Sequence, residues 1–298
     1  MKKVLVTGAS GFIGYRTVKS LLNKGYEVHA IAMNGVAIDK SIRWYNTNLL
    51  NKEEVFNLLK EIQPEAIIHF AWYTVPGKYN NSNENLLWLQ ASIELLKVFK
   101  EFNGKRFIFA GTCAQYDLAH GFMDEKITPS KPNSLYGICK HSFENVALEY
   151  CNKNHLSFVS GRIFYLYGER ECEDRVIPYV INKLMDNEIA YCSHGNQIRD
   201  FMYIEDIANA FVEILHSNAE GIVNVGSGKP VRLKDIFFEI GRQLNKPELI
   251  HLGDVNSSFN EPIMIVANNN RLKTETNWIQ RYSLHKGIEK TISWWKKG

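Results

Sequence analysis

The run Val4-Leu5-Val6-Thr7-Gly8-Ala9-Ser10-Gly11-Phe12-Ile13-Gly14 constrains this chain more than any other stretch. Val4, Leu5 and Val6 make a short apolar run, the mark of a strand buried on both faces. Gly8, Gly11 and Gly14 follow at Gly-x-x-Gly-x-x-Gly spacing, and Phe12, Ile13, Val18, Leu21 and Leu22 then recur at helical spacing. The glycines therefore sit on a strand-to-helix turn. Such a turn needs residues that tolerate positive φ and lack a Cβ. It aims free backbone N–H groups and the positive end of a helix dipole at an anion. A pyrophosphate fits there; the competing reading is a tight turn without a ligand. The strand before and the helix after are the context that favours the first.

The rest of the N-terminal half repeats the alternation. Strands are expected at Glu27 to Ala32, Ile42 to Tyr45, Ala66 to Phe70, Arg106 to Ala110 and Leu156 to Arg162. Helices are expected at Glu53 to Ile62, Asn83 to Phe102, and from Asn133 or Ser134 to about Asn152. This pattern predicts an α/β fold: a Rossmann-type doubly wound parallel sheet with its ligand at the C-terminal strand ends. After Tyr167-Gly168 the alternation stops, leaving helices at Asp206 to Leu215, Leu233 to Leu244 and Leu284 to Trp295, and a short strand at Val223 to Val225. We expect residues 1–168 to form the dinucleotide-binding domain, with 200–226 returning to it. Residues 169–199 and 227–298 are expected to form a smaller C-terminal substrate-binding lobe.

Composition narrows the function classes. Lys and Arg total 35 against 32 for Asp and Glu, a net charge of +3 without basic clustering, so nucleic acid is not an expected partner. No apolar run approaches membrane-spanning length and no signal peptide is evident, so a cytoplasmic protein without membrane contact is expected. Cys113, Cys139, Cys151, Cys172 and Cys192 form no Cys-x-x-Cys and read as reduced thiols, with no metal site. Cofactor choice is read at the end of the second strand. A carboxylate there would accept from a ribose 2′-hydroxyl, but the chain has Ala32-Met33-Asn34. Arg16 can meet a 2′-phosphate instead, which favours NADP(H), with NAD(H) as the alternative.

Tyr136 and Lys140 lie four apart on one expected helix and share a face. Thr112 ends the fifth strand on the glycine-turn side of the sheet. A hydroxyl, a phenol and an ammonium can therefore converge beside a bound dinucleotide. Reducing a carbonyl needs a proton delivered as hydride arrives. A phenol titrating near ~10 can supply it, and a neighbouring cation tunes it. Thr112, Tyr136 and Lys140 are the candidate catalytic set, with Lys140 also placed to hold the nicotinamide ribose. His69 reads as a packed strand-end histidine. Cys113 reads as a small buried residue rather than an acid or base. Trp72 and Tyr73 either line a pocket or pack.

These residues resemble the extended short-chain dehydrogenase/reductases, of the epimerase/dehydratase type. Thr7 to Gly14 is similar to that family's cofactor motif, and Thr112, Tyr136 and Lys140 to its catalytic set. Arg162-Ile163-Phe164-Tyr165-Leu166-Tyr167-Gly168, Gln197-Ile198-Arg199-Asp200-Phe201 and the end from Glu261-Pro262 to Trp294-Trp295 resemble later blocks. The resemblance spans essentially the whole chain. It implies cofactor contacts from Gly8, Ser10, Gly11, Phe12, Ile13, Gly14, Arg16, Asn48, Leu49, Phe70, Ala71, Tyr136 and Lys140. It implies substrate contacts from Tyr73, Thr112, Tyr165 and Arg199, with Arg199 on a nucleotide-sugar diphosphate, and a homodimer formed through helices 83–102 and 134–152. Three departures stand out. Asn48 replaces a common Asp at the adenine, and Tyr165 replaces a frequent Asn near the diphosphate. Cys113-Ala114 stands where 4,6-dehydratases carry Asp-Glu, so β-elimination lacks its catalysts. The resemblance thus implies a nucleotide-sugar 4-ketoreductase acting on a 4-keto-6-deoxyhexose, dTDP- or CDP-linked for example. A 4-epimerase with tightly bound NAD is the alternative, and a non-catalytic nucleotide-sensing module a third reading.

Overall fold

A computed structural model describes residues 2–32, 40–255 and 261–297. The main sheet has seven strands, all parallel. They include β1 (Lys3–Thr7), β2 (Glu27–Ile31), β3 (Arg43–Tyr45), β4 (Ala66–His69) and β5 (Arg106–Thr112). The other two are Ser157–Ile163 and Gly221–Val225. From one edge the order is 221–225, 157–163, β5, β4, β1, β2, β3. The chain leaves β1 for β2 and β3 on one side and returns to β4 and β5 on the other. The direction therefore reverses between β1 and β4, and a crevice opens there at the C-terminal strand ends.

Helices cover both faces because alternate strand residues point to opposite sides. Val4, Val6, Ile68 and Ile108 pack with Val18 and Leu21 of α1 (Phe12–Asn23). Leu5, Ile67 and Phe107 face the other way. They meet Leu58 and Leu59 of α2 (Lys52–Ile62), Leu95 and Phe99 of α3 (Glu84–Glu101) and Phe143 of α4 (Leu135–Lys153). Helix α5 (Val176–Met185) has no counterpart in the sequence-based reading. Helix α6 (Ile204–His216) rejoins the first face, where Phe211 closes the core and Lys24 of α1 pairs with Glu213 at 2.6 Å.

A separate apolar core joins α5, α7 (Leu233–Leu244) and α8 (Leu284–Trp295) through Ile177, Phe237 and Ile288. A small mixed sheet of strands 231–232, 198–199, 264–267 and 122–123 lies beside it. Cys113, Cys139, Cys151, Cys172 and Cys192 are free thiols. Among the described residues there is no His, Cys, Asp and Glu grouping suited to a metal, and no helix long and apolar enough to cross a membrane.

Candidate active site

The glycine turn lies at the reversal point. Gly8 adopts φ +65°, and a Cβ on it would lie 2.8 Å from the Ala71 nitrogen just past β4. A Cβ on Gly14 would overlap the Gly8 carbonyl oxygen and lie 2.7 Å from the Ala9 Cα. Gly11 is the N-cap of α1 and has no side chain to satisfy the first-turn N–H groups. Those donors and the helix dipole suit a pyrophosphate, so the residues present fit a dinucleotide. Ser10, Phe12 and Ile13 flank the turn, half-buried. Gly14→Ala is expected to weaken dinucleotide binding at least tenfold and to cost about 1–3 kcal/mol of stability through overpacking. Fluorescence titration and thermal unfolding would show this; unchanged binding would mean that the turn does not hold the ligand.

The other proposed cofactor residues are dispersed around this crevice. Ala71 donates its N–H to the Thr7 hydroxyl at 3.2 Å, and Phe70 packs edge-on against Phe211 at 4.8 Å. Leu49 is buried in the core under α2, while Asn48 is exposed and its side-chain oxygen accepts from the Leu50 N–H at 3.0 Å. Arg16 departs from expectation. Its guanidinium is 3.1 Å from Glu169 and 3.8 Å from Glu205. Two carboxylates thus engage the cation that was expected to meet a 2′-phosphate. Of the Ala32-Met33-Asn34 segment, Met33 and Asn34 lie outside the described residues.

The candidate catalytic residues do come together. Ser134 caps α4, accepting from the Gly137 N–H at 3.2 Å. Gly137 lets the helix press onto the turn after β5, since a Cβ there would lie 2.6 Å from the Ala114 carbonyl oxygen. Thr112 starts that turn, with its hydroxyl accepting from the Ala114 N–H at 3.2 Å and its own N–H donating to Gln115 at 2.8 Å. Burial raises the Tyr136 phenol above its usual value, Tyr79 adds to this, and the neighbouring Thr112 hydroxyl opposes it. Lys140 is buried and donates to the Ala110 carbonyl at 2.7 Å. Its Nζ lies 4.1 Å from the centre of the Trp72 ring and 4.5 Å from that of Phe109. Burial pushes the amine well below the usual lysine range. Both shifts favour the uncharged forms, so the phenol keeps its proton.

Trp72 packs: its indole N–H donates to Asn85 at 2.9 Å and its ring face meets Lys140. Tyr73 is half-buried. His69 is buried between the Thr7 hydroxyl at 2.6 Å and the Ser92 hydroxyl at 2.9 Å. Burial above all, and Lys140 when it is protonated, lower its pKa to about 3, which makes it a neutral linker. The Cys113 thiol is pushed up to about 12 by burial and Asp200, against Arg199. It is therefore no ready proton acceptor at neutral pH. Tyr165 and Arg199 stand beside it, the guanidinium 5.6 Å from the Tyr165 ring centre. Arg199 is 2% exposed and its Nη2 is 2.7 Å from Glu261.

Two supports escaped the sequence-based reading. Tyr79 holds the Tyr136 ring edge-to-face at 4.9 Å, and nothing local marks it. Glu144 is fully buried and accepts from Ser160 at 2.5 Å and from Arg162 Nε at 3.2 Å, with a further Arg162 Nη2 contact. Its signal was available, because Tyr136, Lys140 and Glu144 share one stripe of α4 at successive four-residue steps.

Sheet order and glycine turn together define a Rossmann-like α/β protein. The chain belongs to the NAD dependent epimerase/dehydratase family, whose description matches residues 4–226. Among similar proteins is a CDP-abequose synthase from Salmonella muenchen, 28% identical, with 98% of this chain and 97% of that one covered. A UDP-glucuronate 4-epimerase from Thermodesulfobacterium geofontis is 27% identical over 98% of this chain and 96% of its own. A solved structure, the UDP-glucose 4-epimerase of Thermus thermophilus in complex with NAD, superposes with a TM-score of 0.87 at 23% identity, covering 99% of each chain.

Proposed function

We propose that the protein reduces the 4-keto group of a nucleotide-diphospho-4-keto-6-deoxyhexose, using a nicotinamide dinucleotide as hydride donor. The observation that carries this reading is Tyr136 and the buried Lys140 on one face of α4 at the end of the strand that closes on Thr112, followed by Cys113-Ala114 in place of the dehydratase acid pair. Ketone reduction consumes a proton, and a phenol held neutral is the donor that direction needs. Thr112 orients the substrate oxygen toward it. The similarity to CDP-abequose synthase favours a CDP-linked deoxysugar. The second reading, a 4-epimerase that retains NAD, draws on the similarity to the UDP-glucuronate 4-epimerase. NADP(H) preference keeps one support, the absence of a carboxylate at Ala32, and loses the other, since Arg16 is engaged by Glu169. The homodimer reading draws on Leu86, Leu87, Ile138 and Val146, exposed on α3 and α4.

The deciding experiment incubates purified protein with NADPH or NADH and UDP-, CDP- and dTDP-linked 4-keto-6-deoxyhexoses, following nicotinamide oxidation and identifying the product by NMR. Stoichiometric oxidation with a new 4-hydroxyl is expected, faster with NADPH. Interconversion of 4-hydroxyl epimers without net cofactor turnover would establish the epimerase instead.

A further inference from the structure

We propose that Glu261 holds the place of a substrate phosphate on Arg199, so that a nucleoside diphosphate binds by exchanging with this carboxylate. The inference rests on the nucleotide-sugar reading above and deepens it.

Arg199 is anchored and Glu261 is not. Arg199 Nη1 donates to the Ile198 carbonyl at 2.9 Å and the Ile263 carbonyl at 3.4 Å, which fixes the guanidinium against the small sheet. Its Nη2 is left to Glu261 at 2.7 Å. The arginine side chain is 3% exposed, whereas that of Glu261 is 32% exposed. The carboxylate is therefore the partner that solvent already reaches. Asp200, the neighbouring acid, is committed elsewhere: it accepts from the Ser227 N–H at 2.8 Å, the Gly228 N–H at 2.9 Å and the Ala267 N–H at 3.1 Å. It cannot take over when Glu261 leaves.

Arg199 lies 5.6 Å from the Tyr165 ring centre, and Tyr165 packs on the same small apolar cluster as Cys113, the residue after Thr112. Carboxylate and phosphate make the same charge-assisted, forked contact with a guanidinium. A diphosphate brings more charge to it than a single carboxylate. Gln197 supplies a second, independent sign. Its Nε2 donates to Glu261 at 2.9 Å, which dictates the orientation of the amide. That orientation leaves its Oε1 buried with no hydrogen-bond partner among the described residues. An unpaired buried acceptor is costly. Departure of Glu261 releases the amide to turn toward an incoming donor.

The test measures Kd for UDP, CDP and dTDP by calorimetry on wild type, Glu261→Gln, Arg199→Gln and the double variant, with melting curves to verify folding. Glu261→Gln keeps the side-chain size but removes the competing charge. It is expected to tighten diphosphate binding about two- to fivefold, the worth of a partly exposed ion pair. Arg199→Gln is expected to weaken binding, and the gain from Glu261→Gln is expected to vanish in the double variant. Gln197→Leu removes one anchor of Glu261 and should move binding the same way by less. It stands in if Glu261→Gln does not fold. Diphosphate binding that is unchanged or weaker in a folded Glu261→Gln overturns the exchange while leaving the nucleotide-sugar reading intact. No binding of any of the three diphosphates to wild type or Glu261→Gln overturns both.

Discussion

Tyr136→Phe is expected to lower kcat by about 10²–10⁴-fold, the usual worth of a positioned general acid. The phenylalanine ring keeps its edge contact with Tyr79, 4.9 Å between ring centres, so folding and dinucleotide binding should be preserved. The loss should appear in kcat rather than in cofactor affinity. The pH profile sharpens the test. A general acid works while protonated, and burial raises the Tyr136 phenol above its ordinary value. Wild-type reduction should therefore show no loss from this group through neutral pH, and should fall only as pH rises past the elevated phenol pKa. Turnover near the wild-type level in a folded Tyr136→Phe would mean that the proton comes from another group. Cys113 is then first to test, although its thiol is pushed up to about 12 by burial.

Glu144→Ala is expected to destabilise the protein by about 3–5 kcal/mol, because removing one member of a buried ion pair strands the other charge. Glu144 and Arg162 are both essentially inaccessible. Burial alone would raise the Glu144 carboxyl. The His141 ring 3.7 Å away, hydrogen bonds from Arg162 and Ser160 and the guanidinium charge outweigh it and bring the group to about 2. The sign follows from this depressed value. The unfolded carboxyl titrates near ~4.3, so the stabilisation is complete above that pH and is lost as pH falls toward about 2. Urea unfolding of wild type and Glu144→Ala should thus differ most at neutral pH and converge in acid. A neutral-pH difference below ~1 kcal/mol would show that the pair is solvated or replaced. Arg162 also contacts Ser130 at 3.0 Å and lies 4.1 Å from the Tyr116 ring centre. It therefore ties α4, which carries Tyr136 and Lys140, to the turn that begins at Thr112. Loss of Glu144 should lower turnover along with stability.

The parallel sheet was legible because its signals are short-range. Val4 to Val6 read as a doubly buried strand, and Val4 and Val6 do face one core while Leu5 faces the other. The glycine spacing located a turn that holds Gly8 at φ +65°. The four-residue step from Tyr136 to Lys140 placed both on one face of α4. The small mixed sheet was harder. Its strands at 198–199, 231–232 and 122–123 are two residues long, too short for alternation to register.

What the sequence determined by itself was therefore the alternation of strands and helices in the N-terminal half, the glycine turn after the first strand, and the shared face of Tyr136 and Lys140 on α4. Backbone geometry sets these over a few positions, so spacing reports them directly. Only the tertiary structure decided which charges meet. Arg16 turns to Glu169, Arg199 to Glu261, Arg162 to Glu144, and Lys140 lies against Trp72. Each partner arrives from a different element, or from a separate segment of the chain. Such pairings depend on where the strand order of the sheets and the packing of the helices bring those segments together. An arginine can be read in a sequence as a free cation, but whether a carboxylate already occupies it is settled by packing.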